Sequence, residues 1–93
     1  MDYSLINNEL DEQYEFHIDG FVPRITYAWS GGKIYFNHTE VPKELGGKGI
    51  GSSLVLKALE DIRQKGLMLV PRCPFVKKYI RLHPEWKFLV ANE

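Results

Sequence analysis

Residues Gly46-Gly47-Lys48-Gly49-Ile50-Gly51-Ser52-Ser53 run without a break into an amphipathic helical pattern, and this stretch constrains the chain more than any other. Glycines at positions 47, 49 and 51 leave the backbone bare on one side. Backbone N–H groups can then converge on an anion, and the positive end of the helix dipole adds to the attraction. A phosphate or pyrophosphate is the natural guest. The charge distribution agrees. Residues 1–46 hold three Lys/Arg against eight Asp/Glu, whereas residues 47–93, with the loop, hold nine against four. An anionic ligand suits the basic half, although a solvated surface would tolerate the same split.

The segments around the loop alternate between strand and helix signals. Ser4 to Asn7 reads as an edge strand or an irregular start. From Gln13, the residues Tyr14, Phe16 and Ile18 share one face, with Gln13, Glu15 and His17 opposite, as in a half-buried strand. Asp19-Gly20 is a hairpin turn signal. The return strand offers Ile25, Tyr27 and Trp29 on one face, and Pro23 argues for a local edge or bulge because it cannot donate to a ladder. Ser30-Gly31-Gly32-Lys33 is a second tight turn. A third strand follows, with Ile34, Phe36, His38 and Glu40 expected on one face and Tyr35, Asn37, Thr39 and Val41 on the other. This makes an antiparallel meander that ends at Pro42.

Beyond the loop, a helix is expected from Gly51 to Lys65. Val55, Ala58, Leu59 and Ile62 form its core stripe and Gly66 its C-terminal cap. Leu67-Met68-Leu69-Val70 reads as a buried strand parallel to the one before the helix. A second helix runs from Phe75 to about Leu82, started by Pro74 and broken at His83-Pro84. Phe88-Leu89-Val90 reads as a last strand. The expected fold class is α+β with a mixed sheet, in one domain spanning residues 1–93.

Several classes are excluded or disfavoured by simple counts. The single cysteine, Cys73, rules out an internal disulfide and argues against a structural zinc site, so no metal is expected. Met1-Asp2-Tyr3-Ser4 shows no basic region leading into an apolar run, and no apolar stretch approaches the roughly 20 residues of a membrane span. The expectation is a chain in the reducing cytoplasm, with no membrane partner. The net charge of zero and the absence of a nucleic-acid motif argue against nucleic-acid binding, despite the basic cluster Lys77, Lys78, Arg81 and Lys87.

The loop also fails two nucleotide motifs. A P-loop requires glycine where Pro42 stands and Ser or Thr where Gly49 stands; the dinucleotide fingerprint fails because Gly49 and Gly51 are followed by Ser52-Ser53-Leu54. Placed after a meander and before a helix and parallel strand, however, Gly46-Gly47-Lys48-Gly49-Ile50-Gly51 resembles the [QR]-x-x-G-x-[GA] pyrophosphate loop of the GCN5-related N-acetyltransferase superfamily. His38-Thr39-Glu40-Val41-Pro42, Pro71-Arg72-Cys73-Pro74-Phe75, Tyr79-Ile80 and His83-Pro84-Glu85-Trp86 extend the resemblance to its short, stand-alone YjdJ-type branch. The match covers nearly the whole chain. Gly46 departs from the pattern, since most relatives place Gln or Arg there.

The resemblance implies acetyl-CoA (or coenzyme A) as cofactor and an amine of a small molecule or protein as acceptor. It implies a splayed sheet in which the pantetheine arm pairs with the backbone of Asn37 to Val41, including Thr39 and Val41. The diphosphate would lie over Gly47, Lys48, Gly49, Ile50, Gly51, Ser52 and Ser53. Tyr79 falls where many relatives carry the tyrosine that hydrogen-bonds the cofactor sulfur. His38 and Glu40 are candidates to draw a proton from the amine. Cys73, beside Arg72 and ahead of a helix start, is in a setting that lowers a thiol pKa and suits acyl transfer through cysteine or direct contact with the acetyl group. His83, four residues after Tyr79, is expected to pair with Tyr79 or Cys73. Two functions remain in view: an N-acetyltransferase, or a module that holds coenzyme A with little or no catalysis. The second gains from the lack of N-terminal helices that would build an acceptor pocket.

Overall fold

In the computed structural model, which describes residues 2–91, two of the meander's connections turn through pairs of left-handed residues. Asp19 and Gly20 have φ of 51° and 82°, and Gly31 and Gly32 have 60° and 79°. Two-residue turns of this kind match the right-handed twist of the strands they join. The strands are β1 (Ile6–Asn8), β2 (Gln13–Glu15), β3 (Arg24–Ser30), β4 (Lys33–Glu40) and β5 (Met68–Pro71). They form one sheet in sequence order, antiparallel from β1 to β4 and parallel between β4 and β5.

Helix α1 (Ile50–Gln64) connects β4 to β5, and α2 (Pro74–Leu82) follows β5. The apolar stripe of α1, with Leu54 beside it, is fully buried against Phe16, Ile25, Phe36 and Leu69 in one core cluster that also takes Val76 and Ile80 of α2. Burial of this stripe supplies most of the helix's stability, as expected for an amphipathic helix of this length. Lys65, Gly66 and Leu67 close α1: Gly66 N–H donates to Arg63 O (3.1 Å) and Leu67 N–H to Ile62 O (3.0 Å). Gly66 sits at φ 72°, so Gly66→Ala is expected to cost about 1 kcal/mol. A urea titration would read this as a lower midpoint at unchanged slope.

Four expectations are corrected. Pro23 lies just before β3, a strand paired on both sides, and its carbonyl accepts from Phe16 N–H (3.1 Å); the bulge falls opposite Thr26 and Tyr27 instead. Glu15, expected on a wet face, is 4% exposed. Asn8, Gln13 and His17 all bond its carboxyl group. Phe88-Leu89-Val90 is not a strand hairpinned onto the sheet. A 3-10 helix covers Pro84–Leu89, and Val90 makes only an isolated parallel bridge to Leu69. Pro84 and the burial of Trp86 and Leu89 favour that tight helical turn.

The fourth correction concerns β4. Thr26 pairs with His38 but Tyr27 pairs with Phe36, so Asn37 is an extra residue in β4. This bulge reverses the alternation. Ile34 and Phe36 face the core, and beyond the bulge Thr39, opposite buried Ile25, takes the core side. His38 and Glu40 move to the other face, with Arg24.

Candidate functional site

The pairing of β4 with β5 stops at Phe36 and Pro71, while β4 continues four residues further to Glu40. The amides of Arg72 and Cys73 both donate to Phe36 O (3.0 Å each), which turns the chain out of the sheet. The strands therefore part, leaving the β5 side of residues 37–40 without a paired strand. The glycine loop stands at this end. Gly47 and Gly49 are left-handed, with φ of 75° and 71°, and Gly49 is the residue that caps α1. The first α1 amide to find a backbone carbonyl is that of Ser53, bonded to Gly49 O at 3.0 Å. Among the described residues, the amides of Gly47, Lys48, Gly49, Ile50, Gly51 and Ser52 donate to no backbone acceptor. This bare row of donors at a helix start has the chemistry of a diphosphate cradle.

The seven loop residues contribute differently. Lys48 and Ser52 are exposed and able to meet a ligand, whereas the Ile50 side chain is buried in the core and offers only its amide. Ser53 spends its amide on the helix. Gly51 has ordinary helical geometry; a Cβ there would lie 2.7 Å from Phe75 Cζ. Glycine at 51 thus admits the ring of Phe75 rather than a ligand. A cavity of about 520 Å³ adjoins the loop, between Lys48 and Ile50 and the segment Tyr3, His17 and Ile18.

The catalytic candidates fall into three separate pairs. Cys73 is the N-cap of α2 and is 4% exposed. Its Sγ lies 3.2 Å from Thr39 Oγ1, a contact created by the Asn37 bulge. The thiol donates to this hydroxyl, which can rotate to donate to a thiolate instead. Burial pushes the Cys73 pKa up, but hydrogen bonding from Thr39 and from the backbone at Val76, Phe75 and Thr39 outweighs it, so the net direction is down. The sulfur makes no regular side-chain cap, yet it sits at the positive end of α2.

Tyr79 and His83 form the second pair, stacked with ring centroids 4.2 Å apart. Burial, then the charges of Glu85 and Glu60, raise the Tyr79 pKa, which keeps the phenol protonated. His83 therefore partners Tyr79 rather than Cys73, and its Nδ1 is 3.8 Å from Glu85 Oε2. His38 and Glu40 form the third pair, at 3.2 Å, with Glu40 also held by Arg24. The bulge places this pair across the sheet from the core side that carries Thr39. Sequence alternation gave no signal for the Thr39–Cys73 contact, because β4 reads as regular through Asn37.

Thr39→Val removes a hydrogen bond that favours the thiolate, so it is expected to raise the Cys73 pKa. The pH dependence of thiolate ultraviolet absorbance measures this directly. The sign for stability follows. A folded pKa below the unfolded one stabilises the fold above the unfolded value, and the contribution is lost as pH falls through the folded value. Thr39→Val should therefore lose stability selectively at alkaline pH.

A family model described as GCN5-related N-acetyl-transferase matches residues 13–89, from β2 to the end of the last 3-10 turn. The chain belongs to this family. A solved structure shares its fold at a TM-score of 0.75, the solution structure of a GCN5-like candidate N-acetyltransferase from Staphylococcus aureus. It is 22% identical, over 98% of this chain and 90% of that one. No curated protein matches the chain. The family uses acetyl-CoA in general, and the free amides of the loop fit its diphosphate. Among the described residues, no helix is long and apolar enough to cross a membrane.

Proposed function

We propose that this protein binds acetyl-CoA and transfers the acetyl group to an amine of a small-molecule or protein acceptor. The reading rests on one juxtaposition: strands β4 and β5 part beside a row of six uncommitted backbone amides. The amides of Gly47 to Ser52, with Lys48, would hold the diphosphate by charge-assisted hydrogen bonds. The unpaired side of β4 around Thr39 and Val41 would take the pantetheine amides in place of a strand.

Acetyl-CoA supplies an acetyl group activated as a thioester. Cys73 is the reactive group of the site, and Thr39 positions its sulfur and supports the thiolate. Tyr79, kept protonated by burial, serves as the proton donor to a leaving thiolate. His38 and Glu40 stand on the other face of β4, where Glu40 is ion-paired to Arg24. His38 is the more accessible of the two.

A second reading, a coenzyme A-holding module with little or no catalysis, draws on the division of the candidates into three pairs. A thermal-shift titration with acetyl-CoA and with coenzyme A, followed by a thiol-release assay over a panel of amines, separates the two. Stabilisation with turnover is the expected result. Stabilisation without turnover favours the module, and no shift with either ligand overturns both. A cytoplasmic setting agrees with the free, buried thiol of Cys73.

A further inference from the structure

A cavity lies at the end of the sheet opposite the glycine loop. It measures about 650 Å³ and opens between the β1–β2 loop, the tip of the β3–β4 hairpin and the C-terminus of α1. From Ile34 to Glu40, β4 runs seven residues, six rises and roughly 20 Å of strand, so the two sites are well separated. The floor is Ile34 with the rings of Tyr14 and Tyr27, whose hydroxyls are already committed to Asp61 and Asn7 (2.6 Å each). The floor so formed is apolar and aromatic, and its three side chains are largely buried. Trp29, 64% exposed, and Leu10, 97% exposed, both line the cavity.

The rim is acidic. Glu9 and Glu12 both line the cavity, and neither carboxylate has an ion-pair partner among the described residues. Burial keeps the phenols of Tyr14 and Tyr27 protonated, and the charge of Glu9 adds to this at both rings and that of Glu12 at Tyr27. The lining cation, Lys65, is neutralised by Asp61 at 2.7 Å, and its Nζ lies 5.9 Å from the centre of the Tyr14 ring. The surface thus already accommodates one ammonium against an aromatic face and retains two uncompensated negative charges. Glu12 also holds a left-handed backbone, φ 52°, fixed because its carbonyl accepts from Tyr27 N–H at 2.9 Å. Asn or Gly suits that conformation better than Glu.

We propose that this cavity is a docking site for a basic segment of a partner polypeptide. A Lys or Arg side chain lies over Trp29 between Glu9 and Glu12, and an adjacent apolar residue fills the floor over Ile34. Charge complementarity and cation–π attraction select the basic residue. The exposed Trp29 and Leu10 extend the apolar contact past the cavity mouth, a larger area than a small ammonium compound covers. The site goes beyond the proposed acetyl transfer and does not depend on it.

The test is an NMR titration of the 15N-labelled full chain with a capped hexapeptide of alternating Lys and Leu. Shifts are expected at the Trp29 indole, at residues 7–12 and around Lys65, and not at the glycine loop. The double variant Glu9→Gln with Glu12→Asn should bind about tenfold more weakly while melting no lower than the parent, since Asn relieves the Glu12 backbone. Unchanged affinity in that variant overturns the proposal. So does equal binding of the Glu–Leu counterpart peptide, equal binding of hexylammonium, or occupation of the cavity by a second copy of the chain in sedimentation equilibrium. Unaltered acetyl-CoA affinity in the double variant is expected, and its loss would overturn the separation of the two sites.

Discussion

Replacing Gly49 by valine is expected to abolish acetyl-CoA binding, with a loss of affinity of at least about a hundredfold. Gly49 sits at φ 71° and is the residue from which α1 starts. A β-branched side chain at that φ costs roughly 2 kcal/mol. The backbone can escape the strain only by rotating away from the left-handed region. That rotation would swing the amides of Ile50 and Gly51 out of the cradle. Gly49→Asn is the control, because asparagine tolerates this conformation; it should retain the fold and lose no more than about tenfold in affinity. Gly46→Arg should preserve or strengthen binding. Gly46 has φ −65°, and a side chain there must displace Lys43 O only slightly from its 3.1 Å approach. Calorimetric titration of acetyl-CoA into the three variants gives the comparison. Full affinity in Gly49→Val would reduce the loop to a structural turn.

The second large effect belongs to Cys73. Cys73→Ser is expected to lower acetyl transfer by at least about a hundredfold in kcat while acetyl-CoA affinity stays within about twofold. Serine matches the cysteine in size and is a preferred N-cap, so α2 should start as well or better and the melting temperature should hold. Cys73→Ala, which also leaves a small void at a buried site, is expected to lose about 1 kcal/mol of stability as well. The pair of variants separates reactivity from packing. Transfer at the parental rate by a well-folded Cys73→Ser protein would remove Cys73 from the chemistry and pass the role to a direct route from thioester to amine.

The elements that were legible in the chain are those governed by local rules. The β2–β3 and β3–β4 hairpins follow from Asp19-Gly20 and Gly31-Gly32, residues that accept positive φ. Helix α1 follows from its apolar stripe and from Gly66, and the left-handed turns of the loop before it from Gly47 and Gly49. In each case neighbours within a few residues supply the physical cause, so the sequence carries the whole signal. The resemblance of the loop and its flanking motifs to acetyltransferases was readable for the same reason.

What tertiary structure alone decided depends on residues far apart in the chain. The bulge at Asn37 is a shift in the register of β4 against β3, and no local propensity announces it. It moves Thr39 onto the side of Cys73, 34 positions away, and moves His38 and Glu40 across the sheet. Glycine at 51 looks like part of the anion loop, yet the ring it makes room for belongs to Phe75 on the next helix. The glycine loop was visible from composition and spacing as a place to hold an anion. Only packing determined which side chains stand beside it, because a strand's register and its faces are set by its partners.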